Sequence, residues 1–288
     1  MLDATSTKYL HKKAWTELNE REDSSQEVVK FRMLIEKLEG LTCPTDEQFL
    51  IRFLRAKKFH RDEAMKLLIS YYEMRRDNPS LFRNLNPEYL RPSLEKRLQH
   101  VLSSRDDKGR QVFIFRAGSW NPNEVSLDNI FRCNYLYLEE MTSLPETQIN
   151  GISAVVDFHG FSFFQARHFT PKHALRMIKI IQGSFPCRFQ EFHLVNQPYI
   201  FHLVYSIVKP FLSEKIRDRI HVHGTDLNSL HRFLRPEILP EFLGGSNNNS
   251  WDADWLVFMK RMLDKNQHYK EMMSQQYGFR NIENSLNT

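Results

Sequence analysis

The sequence predicts an α/β protein: an all-α bundle at the N-terminus, then a larger domain with a mixed, largely parallel sheet. Two observations predict it. Up to about residue 95 the apolar residues recur at helical spacing, whereas from about Lys96 strand-like stretches alternate with amphipathic ones. Strands separated by helices imply crossover connections and hence parallel pairing. The expected segments are 1–95, 96–247 and a helical tail over 248–288.

Taken in order, "SSQEVVKFRMLIEKLEG" opens with serines suited to capping and ends at Gly40, a stop signal. "PTDEQFLIRFLRAKKFH" places Asp46 and Glu47 at a helix start and Phe49, Leu50, Phe53 and Leu54 on one stripe. "RDEAMKLLISYYEMRRDNP" repeats the pattern with Ala64, Leu67, Leu68, Tyr71 and Tyr72. Arg52, Arg55, Arg75 and Arg76 read as solvated faces and ion pairs within this bundle. "RLQHVLSS" and "RQVFIFR" flank "RDDKG", a turn that joins antiparallel strands. A helix ("SLDNIFRCNYLYLEEMTS"), a strand ("ISAVVD"), a helix ("TPKHALRMIKIIQGS") and a strand ("EFHLVN") follow. The segment "YIFHLVYSIVKPFLSEKIRDRIHVHG" then begins as a helix, breaks at Pro210 and ends in the strand "RIHVH". "GGSNNNS" closes the domain, and "WDADWLVFMKRMLDKNQHYKEMM" suggests one C-terminal helix docked through Trp251, Trp255 and Phe258.

Composition narrows the function. At 288 residues and 41% hydrophobic content the chain can bury a substantial core, while no stretch reaches the roughly 18 apolar residues of a spanning helix. Three scattered cysteines fit reduced thiols and a cytoplasmic location better than a disulfide framework. The net charge of +5 is too weak to imply a nucleic-acid partner. With 22 phenylalanines against 10 glycines, the chain points to an apolar interior and away from a phosphate-cradling loop.

Neither nucleotide-binding nor hydrolase signatures occur, and no cofactor is implied. His221 and His223 share a strand face, and Asp157 and His159 end another strand; with no further ligand at a convincing spacing, they read as scaffold and no metal is expected. Glu139 and Glu140 are adjacent, so they diverge on a helix, a poor geometry for paired acid and base; they read as surface. The expectation is that the protein is not an enzyme.

The aromatic run around "ISAVVDFHGFSFF" gathers Ile152, Val156, Phe158, Phe161, Phe163 and Phe164, followed by Met177, Ile180, Ile181, Phe185, Phe189 and Phe192. These residues read either as an ordinary core or as the wall of a pocket. The helix from Tyr199 has apolar residues around more than one face, which favours a pocket that it covers. Lys215 and Arg219, four apart, follow it directly.

"DEQFLIRFLRAKKFHRDEAMKLLISYYEMR" resembles the N-terminal helical element of CRAL-TRIO proteins. "INGISAVVDFHGFSF", "TPKHALRMIKIIQGSFPCRF", "FHLVNQPYIFHLVYSIVKPFLSEKIRDRIHVHG" and "LNSLHRFLRPEILPEFLGG" resemble the lipid-binding domain of the same family in order and spacing. The similarity covers about residues 45–246 and is greatest to the branch holding alpha-tocopherol transfer protein, cellular retinaldehyde-binding protein and the clavesins.

The resemblance implies a carrier whose α/β cage holds one hydrophobic ligand behind a mobile helical gate. It implies a cavity wall of Phe131, Asn134, Leu138, Ile152, Val156, Phe169, Met177, Ile180, Ile181, Cys187, Phe189 and Phe192, to which the aromatic run adds Phe158 and Phe163. The implied gate residues are Ile200, Phe201, Val204, Ile207 and Phe211. Arg188, Lys215 and Arg219 match a cluster that holds a phosphoinositide headgroup; Gln190 replaces a second basic residue of that branch, and Arg217 is the neighbouring cation that compensates. The expected partners are therefore a tocopherol-, retinoid- or other isoprenoid-like lipid and a phosphoinositide-bearing membrane, with reversible peripheral association. The competing expectation is a phosphoinositide-sensing trafficking adaptor that transfers no ligand.

Overall fold

The computed structural model describes residues 4–247, 250–274 and 277–279. Helices α1 (Ala4–Leu18), α2 (Ser24–Glu36), α3 (Glu47–Ala56), α4 (Arg61–Asp77) and α5 (Pro87–Leu94) make up the N-terminal part. The α3 stripe is buried as expected, and Asp46 caps that helix by accepting from the Phe49 N–H at 2.9 Å. The serine cap expected for α2 is not formed: Asp23 holds the cap position without a side-chain bond. The helix stops at Glu36, short of Gly40.

Strands β1 (Gln99–Arg105), β2 (Gln111–Arg116), β3 (Ile152–Asp157), β4 (Phe189–Val195) and β5 (Ile220–Gly224) form a five-stranded sheet in sequential order. Within this sheet only β1 and β2 pair antiparallel; Leu41–Thr42 and Gly278–Phe279 form a separate antiparallel pair. Their turn closes on Asp106, whose Oδ1 accepts from the N–H groups of Lys108 and Arg110. Between the parallel strands run α6 (Leu127–Thr142), α7 (Pro171–Gln182) and α8 (Phe201–Val208). Crossovers between parallel strands are right-handed, so a strictly sequential order puts all three helices on one face of the sheet. That face is where the cavity forms. The register aligns Phe113 with Ala154, Ala154 with Phe192 and Phe192 with Ile220, so these residues share that face. On the other face Val112, Ile114, Val155 and Val195 pack against Leu230, Leu234, Leu239 and Leu243.

The C-terminal segment forms two helices rather than the single one expected, α9 (Ser250–Asp264) and α10 (Asn266–Ser274). Trp255 and Phe258 are buried as anchors, whereas Trp251 stays half-buried against Phe242 and His100. Part of the asparagine cluster, 248–249, lies outside the described residues. One apolar core runs from Phe31 and Leu50 through Tyr137 and Met141 to Met262, so all three segments contribute to it.

Glu139 and Glu140 are not surface residues. The Glu139 carboxylate accepts from Arg52 at 2.9 Å, Arg75 at 3.1 Å and the Tyr71 hydroxyl at 2.6 Å. Glu140, 1% exposed, pairs with Arg261 and Lys265, each at 2.7 Å. Arg55 likewise reaches beyond its own helix, to Glu20 and to Gln148. Neighbouring residues on a helix point about 100° apart. Here that divergence ties α6 to the N-terminal helices on one side and to α9 on the other.

Candidate functional site: an apolar cavity beside a cation cluster

Between the sheet and α6, α7 and α8 lies a cavity of about 270 Å³. Helix α6 lends it Phe131, Asn134 and Leu138, one turn apart, and α7 lends Met177, Ile180 and Ile181. Strands β3 and β4 contribute Val156, Phe189 and Phe192, and the connections after β3 contribute Phe158 and Phe169. All of these were expected from the sequence.

Three expected wall residues lie elsewhere. Ile152, the first residue of β3, is fully buried and packed into the common core. Cys187 packs against that core too, and burial pushes its thiol up, away from the reactive thiolate. Phe163 is 63% exposed on the outer surface, because its short helix caps the loop with Ser162 and Gln165 and turns the ring outward.

Helix α8 divides the expected gate residues between its two sides. Phe201 and Val204 face the cavity, as do Tyr205 and Val208, which the sequence reading missed although they continue the same stripe. Ile200 and Ile207 pack against the surrounding side chains without lining the cavity. Phe211 lies outside, 42% exposed, after the helix tightens into a turn over Lys209–Phe211 that Pro210 favours. Leu203 and Tyr199 are exposed as well. Also missed were Phe113 and Phe115 on β2, Trp120, and Leu212 and Ile216 beyond α8. Alternation in "QVFIFR" was the available signal for the first two.

Next to α8, Arg188, Lys215 and Arg219 come together. Arg188 donates to the Ile149 carbonyl and Arg219 to that of Phe189, which anchors both guanidinium groups. Burial and then the charges of Arg219, Lys58, Lys57 and Arg188 hold the Lys215 ammonium below its ordinary value. Four cations thus act on a fifth, while Glu191 acts on Arg219. Lys57 and Lys58 come from the turn after α3, and nothing in the sequence singled them out. Glu17 of α1 approaches Arg188 at 3.5 Å. Arg217 is exposed and is not among the charges acting on Lys215.

His221 and His223 lie on the face away from the cavity, stacked with His193 at 5.2 and 5.3 Å from its ring and covered by Phe233. Asp157 instead accepts from Asn196 and the His159 N–H, apart from that stack. Among the described residues, no group of three or more His, Cys, Asp or Glu side chains could hold a metal ion.

Burial, then His193 and His221, push the His223 imidazole down to about 4. The unfolded chain therefore binds more protons than the native state as pH falls below about 6.5. Stability is expected to be level above that pH and to fall progressively towards about pH 4. Urea midpoints across the range should show this slope, and His223→Leu should reduce it. A profile as steep in the variant as in the wild type would assign the effect to other groups.

An almost wholly apolar cavity within an α/β fold suits a hydrophobic ligand and defines the class as an α/β carrier of apolar molecules. Residues 96–245 match the CRAL/TRIO domain, and residues 20–90 match the Pinta-like UBA domain. The chain belongs to the CRAL/TRIO family of lipid-binding and transfer proteins. It is 39% identical over 251 residues to the alpha-tocopherol transfer protein-like protein of Homo sapiens, covering 86% of this chain and 73% of that one. Clavesin-2 of Homo sapiens is 39% identical over 237 residues, covering 81% and 72%. The crystal structure of Sfh5 superposes with a TM-score of 0.49 at 18% identity, covering 85% of this chain and 98% of that chain. No helix among the described residues is long and apolar enough to cross a membrane.

Proposed function

We propose that this protein carries one isoprenoid-like lipid in the cavity and exchanges it at phosphoinositide-containing membranes, with α8 as the gate. The observation that carries the reading is the cavity itself, walled on one side by the sheet and on the other by α8. Burying roughly 400 Å² of apolar ligand surface is worth about 10 kcal/mol before the costs of association, enough to hold a lipid without a covalent bond. The name of the alpha-tocopherol transfer protein-like relative supports an isoprenoid-tailed ligand. The exposed Leu203 and Phe211 beside Lys215 and Arg219 support a membrane on the outer side.

The test is organic extraction of the purified protein with mass spectrometry, followed by ligand transfer between donor and acceptor vesicles. An extract empty of lipid, with no uptake from vesicles, would sink the proposal; membrane binding without transfer would favour the adaptor. In the same assay Lys215→Ala with Arg219→Ala is expected to weaken binding to phosphoinositide vesicles roughly ten- to thirtyfold, about 1 kcal/mol per cation. Unchanged dependence on the phosphoinositide would remove these cations from the headgroup role.

A further inference from the structure

We infer that Asn134 selects ligands bearing a hydrogen-bond acceptor, such as a ketone, aldehyde, ester or quinone oxygen, on an otherwise apolar skeleton. This rests on the carrier reading above. Four side chains of the cavity wall carry nitrogen or oxygen: Trp120, Asn134, Gln165 and Tyr205. The Trp120 indole N–H donates to the Val125 carbonyl at 2.7 Å. Gln165 is engaged at both ends of its amide, accepting from Ser162 and donating to the Gly118 and Trp120 carbonyls. Tyr205 bears a hydroxyl, which rotates to donate or accept and so does not distinguish acceptor-bearing from donor-bearing ligands.

Asn134 is different because its orientation is dictated from behind. The Gln99 side chain, on a residue 2% exposed, places one nitrogen 3.1 Å from the Ile130 carbonyl. A carbonyl only accepts, so that end of Gln99 is its amino group. The same nitrogen lies 3.2 Å from the Asn134 side-chain oxygen, which takes its second hydrogen. Asn134 is therefore held with Oδ1 towards Gln99, leaving Nδ2 as a donor with no hydrogen-bond partner among the described residues.

A hydrocarbon that displaces water from that donor leaves it unsatisfied, whereas an acceptor replaces the lost bond. The difference is worth roughly three- to tenfold in affinity. Discrimination by one fixed donor is also directional: it favours acceptors without demanding a hydroxyl.

The test offers the protein vesicles loaded with equal amounts of a saturated isoprenoid hydrocarbon and its methyl ketone of matched length. After re-isolation, mass spectrometry gives the bound ratio. Wild type is expected to hold the ketone over the hydrocarbon at a ratio roughly three- to tenfold higher than Asn134→Leu does. Gln99→Met, which leaves Asn134 in place but free to turn, should reduce the preference only in part, since the freed amide can still donate to the ketone but must be ordered to do so. Both probes bound at the same ratio by wild type and Asn134→Leu would overturn the inference and leave the carrier reading intact. Failure of wild type to take up either probe would overturn the carrier reading, and the inference with it.

Discussion

Glu139→Ala is expected to destabilise the protein by about 3–5 kcal/mol, seen as a lower urea midpoint at unchanged slope. The reason is the company its carboxylate keeps. Arg52 and Arg75 retain only 8% and 13% side-chain exposure, and both point at this one anion. Removing it leaves two buried cations without their shared anion, Arg75 keeping only Tyr71 as acceptor, and the Tyr71 hydroxyl without the group it donates to. Burial alone would raise the Glu139 carboxyl, but the charges of Arg52 and Arg75 outweigh it and hold the group below its ordinary value. Its contribution is therefore complete above about pH 4.5 and lost as pH falls through that lowered value. Arg52→Met, Arg75→Met and Glu139→Leu combined should recover most of the loss, since an apolar cluster of similar volume replaces a desolvated ion network at little cost. A loss under about 1 kcal/mol in Glu139→Ala would mean that the network behaves like a surface pair.

The second large effect concerns α8. Leu203→Glu with Phe211→Glu is expected to reduce vesicle association at least a hundredfold, because each apolar side chain taken into a bilayer contributes about 1.5–3 kcal/mol. Both residues are on the outer side, 53% and 42% exposed, whereas Phe201, Val204, Tyr205 and Val208 face the cavity. Lipid bound at purification should therefore be unchanged while transfer between vesicles collapses. Transfer at the wild-type rate in this variant would remove the outer surface of α8 from the mechanism.

Much of the fold was legible because it depends on short-range periodicity. The stripe of α3, the Asp106 turn and the helices between parallel strands all follow from spacings of a few residues. The wall residues on α6 and α7 were legible for the same reason, once a cavity was supposed. Failures occurred where a neighbour distant in sequence decides. Phe163 belongs to an aromatic run that looks like wall, yet the Ser162–Gln165 cap turns its ring outward. Cys187 and Ile152 are as apolar as their neighbours, but their side chains pack into the common core shared with the helices instead of lining the cavity. Lys57 and Lys58 reach the cation cluster only because the turn after α3 sits against the segment following α8, two regions far apart along the chain.

By itself the sequence determined the alternation of strands and helices, the strongly apolar composition of α8 and the divergence of Glu139 from Glu140, because each is set within a turn or two of backbone. The tertiary structure alone decided what lies opposite them. It placed all three crossover helices over one sheet face, with a cavity between, and gave Glu139 and Glu140 different cationic partners from different segments. It also locked the Asn134 amide through Gln99. Those outcomes depend on contacts across dozens of residues, whose geometry no local periodicity carries.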